Sequence, residues 1–292
     1  MSAESLARSQ RALAGQSSLG LASRRVASRV PAVALVLFVA LVFAFLYLPA
    51  IVIAVYSFND SSVMSWPLAG FTTHWYSQAF HDSDLMTGLK NSVIVAVAST
   101  GVALALGVPA GFGFDRFNFP GKALLQRVLI LPFLMPGVVG GIALLTFFLD
   151  LKVTLSLTTV IVVHSTMLLS AFVIQMAVGL ARWDRSLESA AMDLGADELR
   201  TFLHVILPNF WTTIAGACLL SITISLDEIA RTFFVTGNQN TLPMVIWSDL
   251  HHQLTPEINA VGSLILGISL LALLVWARII TRRGRLTGRA TL

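Results

Sequence analysis

A polar stretch runs from Trp183 to Pro208, reads WDRSLESAAMDLGADELRTFLHVILP, and interrupts an otherwise apolar sequence. It lies between two segments that are apolar enough to cross a bilayer. A chain that only crosses the membrane needs a short turn here, because most connections between helices are a few residues long. The length and charge of this stretch therefore predict a docking surface for another protein at one face of a membrane.

The polar stretch has the residue pattern of two short helices with a bend between them. Its first part is rich in helix-forming residues and has N-cap candidates at Asp184 and Ser186. Gly195 follows where the end of a helix favours a left-handed residue, and Asp197 can cap a second helix. Pro208 is expected to end the loop ahead of the next apolar segment.

The bend is expected to present small and acidic side chains to a partner. The residues assigned to this surface are Glu188, Ser189, Ala190, Ala191, Asp193, Gly195 and Ala196. Small side chains let a partner approach the backbone, and the acids can meet its basic residues. The alternative is an amphipathic helix pair on the inner leaflet. Such helices have a polar face rich in Lys and Arg, whereas residues 184–198 contain five acids against Arg185 alone.

Composition identifies an integral membrane protein. The 292-residue chain is 56% hydrophobic and 12% charged, with a mean hydropathy of +0.80. Its net charge of +4 comes from basic residues that flank apolar runs, which does not favour nucleic acid as a partner. Cys218 is the only cysteine, so neither an intrachain disulfide nor a thiolate metal site is expected.

An all-α membrane fold with six transmembrane helices is predicted, because a helix needs about 20 apolar residues to cross the hydrocarbon core. The predicted spans are Pro31–Ser57, Leu89–Phe114, Leu125–Leu149, Leu155–Ala181, Phe210–Val235 and Ile258–Ile280. Pro132 and Pro136 predict that the third span has a kinked or opened start. Neighbouring helices must then supply hydrogen-bond partners for the backbone groups that this start leaves free.

The basic residues predict the topology and the domain limits. With a cytoplasmic N-terminus, sixteen Lys and Arg residues lie inside and three outside, in agreement with the positive-inside rule. Both termini and the loop 183–208 are then cytoplasmic. We assign residues 1–30 to a disordered cytoplasmic tail, 31–281 to the transmembrane domain, and 282–292 to a basic cytoplasmic tail.

A polar strip near the outer end of the fifth span is a candidate for the transport pathway. It consists of Ser221, Ser225, Asp227 and Glu228. Ionisable groups in a membrane span are costly and therefore indicate function. Arg231 offers the alternative, because it follows both acids at helical spacing and could neutralise either one in a structural pair.

The segment before the second span has more aromatic residues than a plain linker. Asp60, Trp66, Trp75 and Tyr76 are candidates for an outer gate or for contact with a solute-binding protein. The alternative is that these side chains anchor the chain at the membrane interface.

The chain resembles the permease subunits of type I ABC importers. Those proteins dock their ATPase through the pattern Glu-Ala-Ala, three residues, Gly, nine residues and Ile-x-Leu-Pro. Here the pattern is met by Ser189-Ala190-Ala191, Gly195 and Val205-Ile206-Leu207-Pro208. Ser189 departs from it, since the usual Glu is one position upstream at Glu188. Further similarity is to the second permease subunit of spermidine/putrescine transporters, in the runs Ser225-Leu226-Asp227-Glu228, Phe234-Val235-Thr236-Gly237 and Thr255-Pro256-Glu257-Ile258-Asn259-Ala260.

The resemblance implies a multi-pass protein of the bacterial inner membrane that imports a small solute, most simply a polyamine. It implies partners: ATP-binding subunits that hold ATP and Mg, a second permease subunit forming a heterodimer, a solute-binding protein, and membrane lipid. The chain has no phosphate-binding loop, so we expect it not to hold ATP itself. As a transport subunit it is expected to bind no cofactor or metal and to be non-catalytic. Relatives of this shape carry other solutes, and an opine, an amino-acid derivative or another organic ion is the alternative.

Two other classes of membrane protein are alternatives. A secondary transporter could use Asp227, Glu228 and Arg231 as an ion relay, but the sequence has no inverted repeat and the docking stretch would be unexplained. A membrane enzyme would need convergent polar groups within the spans. His164 is the further candidate there, and a lone histidine in a span is expected to be a satisfied contact between helices.

Overall fold

The computed structural model describes residues 34–62, 66–252 and 256–287. The predicted tails lie largely outside these ranges, namely all of 1–30 and the last residues of 282–292. The regular secondary structure of the described residues is helical, apart from one isolated antiparallel bridge between Asn59 and Phe71. The helices are α1 Ala34–Tyr56, α2 His74–His81, α3 Ser83–Arg116, α4 Lys122–Leu134, α5 Gly137–Asp150, α6 Leu157–Leu180, α7 Ser186–Asp193, α8 Glu198–Thr201, α9 Leu207–Asp227, α10 Thr232–Val235, α11 Leu242–His252 and α12 Pro256–Thr287.

The long apolar helices correspond to the predicted spans. Four described helices are long and apolar enough to cross a membrane, and the count is five if the bent pair α4 and α5 is one span. The counterpart of the sixth predicted span is α12, whose apolar part covers Pro256–Leu271 in the described residues. The chain is therefore an all-helical, multi-pass membrane protein, while the six-helix count stays a prediction.

The third predicted span is broken. α4 and α5 meet at 106°, and the break at Met135-Pro136 confirms that the prolines open this segment. Pro136 has no N–H to continue the helix, and Met135 has the extended backbone that a residue before proline prefers. The predicted span 125–149 is therefore bent at its prolines, as the sequence predicted.

The fifth predicted span begins and ends earlier than expected. Its helical path starts at Glu198, passes through a π-helical turn at Phe202–Ile206, and continues as α9. Pro208 lies inside this path instead of ending the loop. At the other end α9 stops at Asp227, because Glu228 has an extended backbone (φ −79°, ψ 104°). The predicted extension to Val235 was wrong, and Glu228 does not share a helical stripe with Ser221 and Ser225.

The core forms where α3, α6 and α9 pack together. Gly107 and Gly111 of α3 lie directly against Phe172 and Met176 of α6, where a Cβ atom on either glycine would collide. Such small residues let two membrane helices approach closely. By contrast, α1 has no buried residue in its apolar window, which leaves its surface to lipid or to another subunit.

Candidate functional site

Short-range hydrogen bonds and one glycine set the local structure of the polar stretch, here called the coupling loop (183–208). Asp184 Oδ1 accepts a hydrogen bond from Ser186 N at 2.9 Å, and this bond lowers the pKa of the Asp184 carboxyl. Gly195 ends the α7 segment with a φ of +87°, and Asp197 Oδ1 accepts from Arg200 N at 2.7 Å. The predicted pair of short helices with a glycine bend is confirmed.

Glu188 anchors the coupling loop to the end of α3. Its carboxylate forms a bidentate pair with Arg116, with both N···O distances at 2.6 Å, and accepts from Trp183 Nε1. Glu188 is 5% exposed. A second pair joins Arg185 Nη2 to Asp115 Oδ2 at 2.9 Å. The expectation that Glu188 faces a partner is therefore corrected, because this chain's own Arg116 and Trp183 occupy its carboxylate.

The outward face of the bend combines small, acidic and apolar side chains. Ser189, Ala190, Asp193 and Gly195 are exposed, while Ala191 and Ala196 are half-buried. Sequence reasoning missed Leu194, which is 90% exposed between Asp193 and Gly195. Leu187, Met192 and Leu199 of the same loop are also exposed, so the loop carries a group of exposed apolar side chains, which favours contact with a partner. The signal was present in the sequence, since Leu194 directly precedes the residue that ends the helix.

The candidate pathway residues lie at the end of α9 opposite the coupling loop. At 1.5 Å per residue the 21 residues of α9 span about 30 Å, the thickness of a hydrocarbon core. Just beyond this end, Glu228 Oε2 lies 2.7 Å from Arg231 Nη1, and Glu228 Oε1 accepts from the Arg231 backbone N–H at 2.9 Å. The structural pair that the sequence left open is therefore formed by Glu228.

Arg231 also holds the break between α4 and α5. Its Nη2 donates to the carbonyl oxygens of Pro132 at 3.1 Å and of Met135 at 2.8 Å, which a broken helix leaves without partners. Gly137 and Gly141 pack so closely on Ala230 and Phe234 that a Cβ atom would collide. The Arg231 guanidinium thus neutralises the Glu228 carboxylate and donates hydrogen bonds to the carbonyl oxygens that the helix break leaves free.

His164 of α6 contacts both sides of the helix break at Glu228, that is, the end of α9 and the start of α10. Its Nδ1 lies 2.8 Å from Ser225 Oγ and its Nε2 lies 2.9 Å from Thr232 Oγ1. Thr232 Oγ1 donates to the Glu228 carbonyl oxygen, so His164 Nε2 donates to Thr232, and in the neutral imidazole Nδ1 accepts from Ser225. His164 is 1% exposed, which confirms it as a satisfied contact between helices.

The two serines of the predicted polar strip do not line an open path in this chain. Ser221 is 1% exposed and Ser225 is 6% exposed. Ser225 is engaged by His164, and both serines face neighbouring helices because they lie on the packed side of α9. Ser225 is thus hydrogen-bonded to α6 and Ser221 Oγ has no hydrogen-bond partner in the described residues, while their assignment to a solute pathway stays a prediction.

Asp227 differs from Glu228 in its surroundings. It is exposed and lines a cavity of about 450 Å³ between α3, α9, α11 and α12. Its carboxylate forms no ion pair with Arg231 or with any other residue in the described ranges. Of the two adjacent acids, Glu228 is paired with Arg231, whereas Asp227 has no ion-pair partner in the described residues.

The aromatic segment before α3 is held by its own hydrogen bonds. Trp75 Nε1 donates to the Asn59 carbonyl oxygen at 2.8 Å. Tyr76 Oη lies 2.7 Å from Ser57 Oγ and 2.8 Å from Ser263 Oγ of α12. Trp75 and Tyr76 therefore tie this segment together, whereas Trp66, 76% exposed, and the exposed Asp60 remain available to a partner.

The family is established by comparison with known proteins. Residues 103–284 match the family model described as binding-protein-dependent transport system inner membrane component. This range contains the coupling loop, the Arg231 contacts and Asp227. The chain belongs to this family of binding-protein-dependent membrane permeases. It is accordingly a permease subunit of an ABC importer, and the catalytic step of that machine lies on another subunit.

Two relatives define the neighbourhood of the chain within the family. It is 33% identical over 244 residues to the putrescine transport system permease protein PotI of Escherichia coli K12, covering 80% of this chain and 86% of the relative. It is 32% identical over 248 residues to the spermidine/putrescine transport system permease protein PotC of Haemophilus influenzae, covering 84% and 95%. The resemblance inferred from the sequence is confirmed.

The fold has counterparts among solved structures. A chain of a bacterial ABC transporter involved in the import of the acidic polysaccharide alginate aligns with a TM-score of 0.65 at 14% identity, covering 87% of this chain and 96% of that one. At this identity the likeness concerns the fold alone. It agrees with an all-helical importer permease architecture.

Proposed function

We propose that this chain is the transmembrane subunit through which an ATP-driven importer moves a polyamine, such as putrescine or spermidine, from a solute-binding protein into a bacterial cell. The observation that carries the proposal is the continuous helical path 198–227. It joins an exposed docking bend at one end to an unpaired carboxylate, Asp227, at the other. The names of the relatives PotI and PotC support a polyamine as the solute.

The coupling loop is the proposed docking site for the ATPase, which holds ATP and Mg. Leu194 supplies an apolar contact at the tip, and Ser189, Ala190 and Asp193 surround it. The ion pairs to Asp115 and Arg116 transmit a movement of the loop to α3. Because α3 reaches the Asp227 cavity through Leu89 and Ser92, the same helix connects the docking face with the solute end.

The remaining parts of the proposal concern topology and partners. Six spans with cytoplasmic termini in the inner membrane fit the distribution of basic residues, and they place the coupling loop beside a cytoplasmic ATPase. A second permease subunit would cover the exposed surface of α1, and the solute-binding protein would meet the face that carries Trp66 and Asp60.

A solute with fewer charges is the second candidate. The Glu228–Arg231 pair leaves Asp227 as the available carboxylate at this end of α9, which favours a solute with one cationic group. An amino-acid derivative or another organic cation carries such a single cationic group.

The test is uptake by the complete importer, co-expressed with its ATPase, partner permease and solute-binding protein in proteoliposomes loaded with ATP. Accumulation of radiolabelled putrescine or spermidine that depends on internal ATP and on the binding protein supports the proposal. Accumulation of an amino-acid derivative with neither polyamine carried favours the second candidate. Uptake that persists without the ATPase overturns the importer mechanism.

A further inference from the structure

The end of α3 and the short segment after it lie against the coupling loop. Arg116, the last residue of α3, pairs with Glu188 at 2.6 Å, and Asp115 pairs with Arg185 at 2.9 Å. Residues 117–121, here called the α3–α4 connection, follow directly with the sequence Phe-Asn-Phe-Pro-Gly. The docking face proposed for the ATPase is therefore bordered by a segment that is distant in the sequence.

The α3–α4 connection presents one aromatic ring to the outside. The Phe117 backbone N–H donates to the Gly113 carbonyl oxygen at 3.0 Å, which fixes this residue at the end of α3. The Phe119 ring stacks on Phe114, with 6.3 Å between the ring centroids. Phe117 is 68% exposed, whereas Phe119 is 40% exposed. Phe119 thus packs within the chain, and Phe117 is open to contact from outside.

The backbone that carries Phe117 is held in place. Gly121 has a φ of +85°, which glycine adopts without strain, and it turns the chain into α4. The Lys122 backbone N–H donates to the Phe119 carbonyl oxygen at 3.2 Å, and Lys122 Nζ donates to Asn118 Oδ1 at 3.2 Å. A binding surface that is already ordered loses less conformational entropy when its partner binds. This order favours Phe117 as a protein contact.

A lipid contact is the alternative for Phe117, and its surroundings argue against it. Aromatic anchors at the membrane interface are mainly Trp and Tyr, whose polar tips stay hydrated, and Phe has no such tip. Phe117 also follows Arg116, whose side chain reaches the coupling loop. That loop exposes Asp193, Asp197 and Glu198, which an anionic lipid surface would repel. The surroundings of Phe117 therefore fit a protein partner.

We propose that Phe117 is a second contact for the ATPase, which receives its ring in an apolar pocket beside the surface that binds the coupling loop. The two ion pairs make the α3–α4 connection continuous with that loop, where Leu187 and Leu194 are also exposed, so one partner surface can cover both. The inference rests on the proposed function, in which the coupling loop binds the ATPase. It adds a direct contact between the ATPase and the end of α3.

The experiment is photocrosslinking of the assembled importer in membrane vesicles. The photoreactive analogue p-benzoylphenylalanine replaces Phe117, Leu194 or Leu134 in separate variants, and the products are identified by mass spectrometry. Leu134, at the other end of α4, is the matched control because it is 69% exposed against 68% for Phe117. We expect adducts with the ATPase from positions 117 and 194, and none from position 134.

A second measurement uses ordinary substitutions. The rate at which the ATPase dissociates from the tagged permease should rise about tenfold in Phe117→Ala, a change of about 1.4 kcal/mol. Phe117→Leu should have a smaller effect because it keeps an apolar side chain, and Leu134→Ala should match the parent. An unchanged rate in Phe117→Ala would overturn the inference.

The adducts at position 194 separate this inference from the proposed function. An ATPase adduct from position 194, with only lipid adducts from position 117, overturns the second contact and leaves docking by the coupling loop intact. Absence of ATPase adducts from both positions overturns both. An ATPase adduct from position 117 with none from position 194 supports the Phe117 contact and overturns the docking role of Leu194.

Discussion

Arg231 Nη1 lies 2.7 Å from Glu228 Oε2, and the two side chains are only 8% and 11% exposed. The same guanidinium donates to the carbonyl oxygens of Pro132 and Met135 at the break between α4 and α5. The Arg231 side chain thus connects the end of the helical path 198–227 with the bent helix pair α4 and α5.

Arg231→Met should strongly destabilise the permease. It leaves the Glu228 carboxylate buried without a cation and two carbonyl oxygens without donors, and removing one member of a buried pair costs about 3–5 kcal/mol. The measurement is thermal unfolding of the purified complex. Glu228→Gln is the matched control, since it removes the charge but leaves Arg231 its carbonyl partners, and it should cost less. Equal losses in the two variants would contradict the role of Arg231 at the break.

Gly195→Val should uncouple the loop, and Gly195→Asn should not. A Cβ atom at Gly195 meets nothing within 4 Å, so the penalty comes from the φ of +87° and not from a collision. A left-handed conformation costs an ordinary residue about 1–2 kcal/mol, whereas Asn tolerates it. The measurement is co-purification of the ATPase together with solute transported per ATP hydrolysed. Normal coupling in Gly195→Val would refute the requirement for this bend.

Glu188→Ala should loosen the coupling loop from α3. The change leaves Arg116 without its bidentate partner and the Trp183 Nε1–H without an acceptor, at a cost of about 1–3 kcal/mol. Glu188→Gln keeps an acceptor for Trp183 and should lie between the parent and Glu188→Ala in ATP-coupled uptake. Arg182→Gln, an exposed change beside the loop, serves as the control. If the Gln and Ala variants behave alike, the hydrogen bond to Trp183 has no part in anchoring.

Glu257→Gln should stabilise the permease. Glu257 is 8% exposed, and its Oε1 has no hydrogen-bond partner in the described residues. A buried carboxylate without a partner is costly, and a neutral amide lowers that cost. The measurement is the melting temperature of parent and variant. An unchanged or lower melting temperature in Glu257→Gln would contradict the prediction.

Features that depend on residues close together in the sequence could be predicted from the sequence alone. Gly195, the cap at Asp197 and the proline break at Pro136 were all predicted from neighbouring residues and are present. The predicted cap at Asp184 or Ser186 is absent, since the N-cap position of α7 is Arg185, which makes no side-chain cap bond. The general fold also followed from hydropathy, since apolar length alone identifies a membrane helix.

Long-range contacts explain what the sequence did not reveal. The end of α9 at Asp227 has no Pro or Gly to mark it. There, Arg231 and Thr232 bind Glu228, and His164, 61 residues before Ser225, bridges the break. Glu188 was assigned to the docking face because its partner Arg116 is 72 residues away. The sequence identified the acidic residues as candidates, but which of them forms an ion pair within the chain depends on these distant partners.

The single helix between the coupling loop and Asp227 fixes their relative orientation as well as their separation. Each residue turns an α-helix by about 100° and advances it by about 1.5 Å. One residue inserted between Leu207 and Asp227 would therefore rotate the carboxylate by more than a quarter turn out of its cavity, while leaving every side chain of the docking bend intact. The proposed link between the docking bend and Asp227 therefore depends on the number of residues in this segment as well as on their identity.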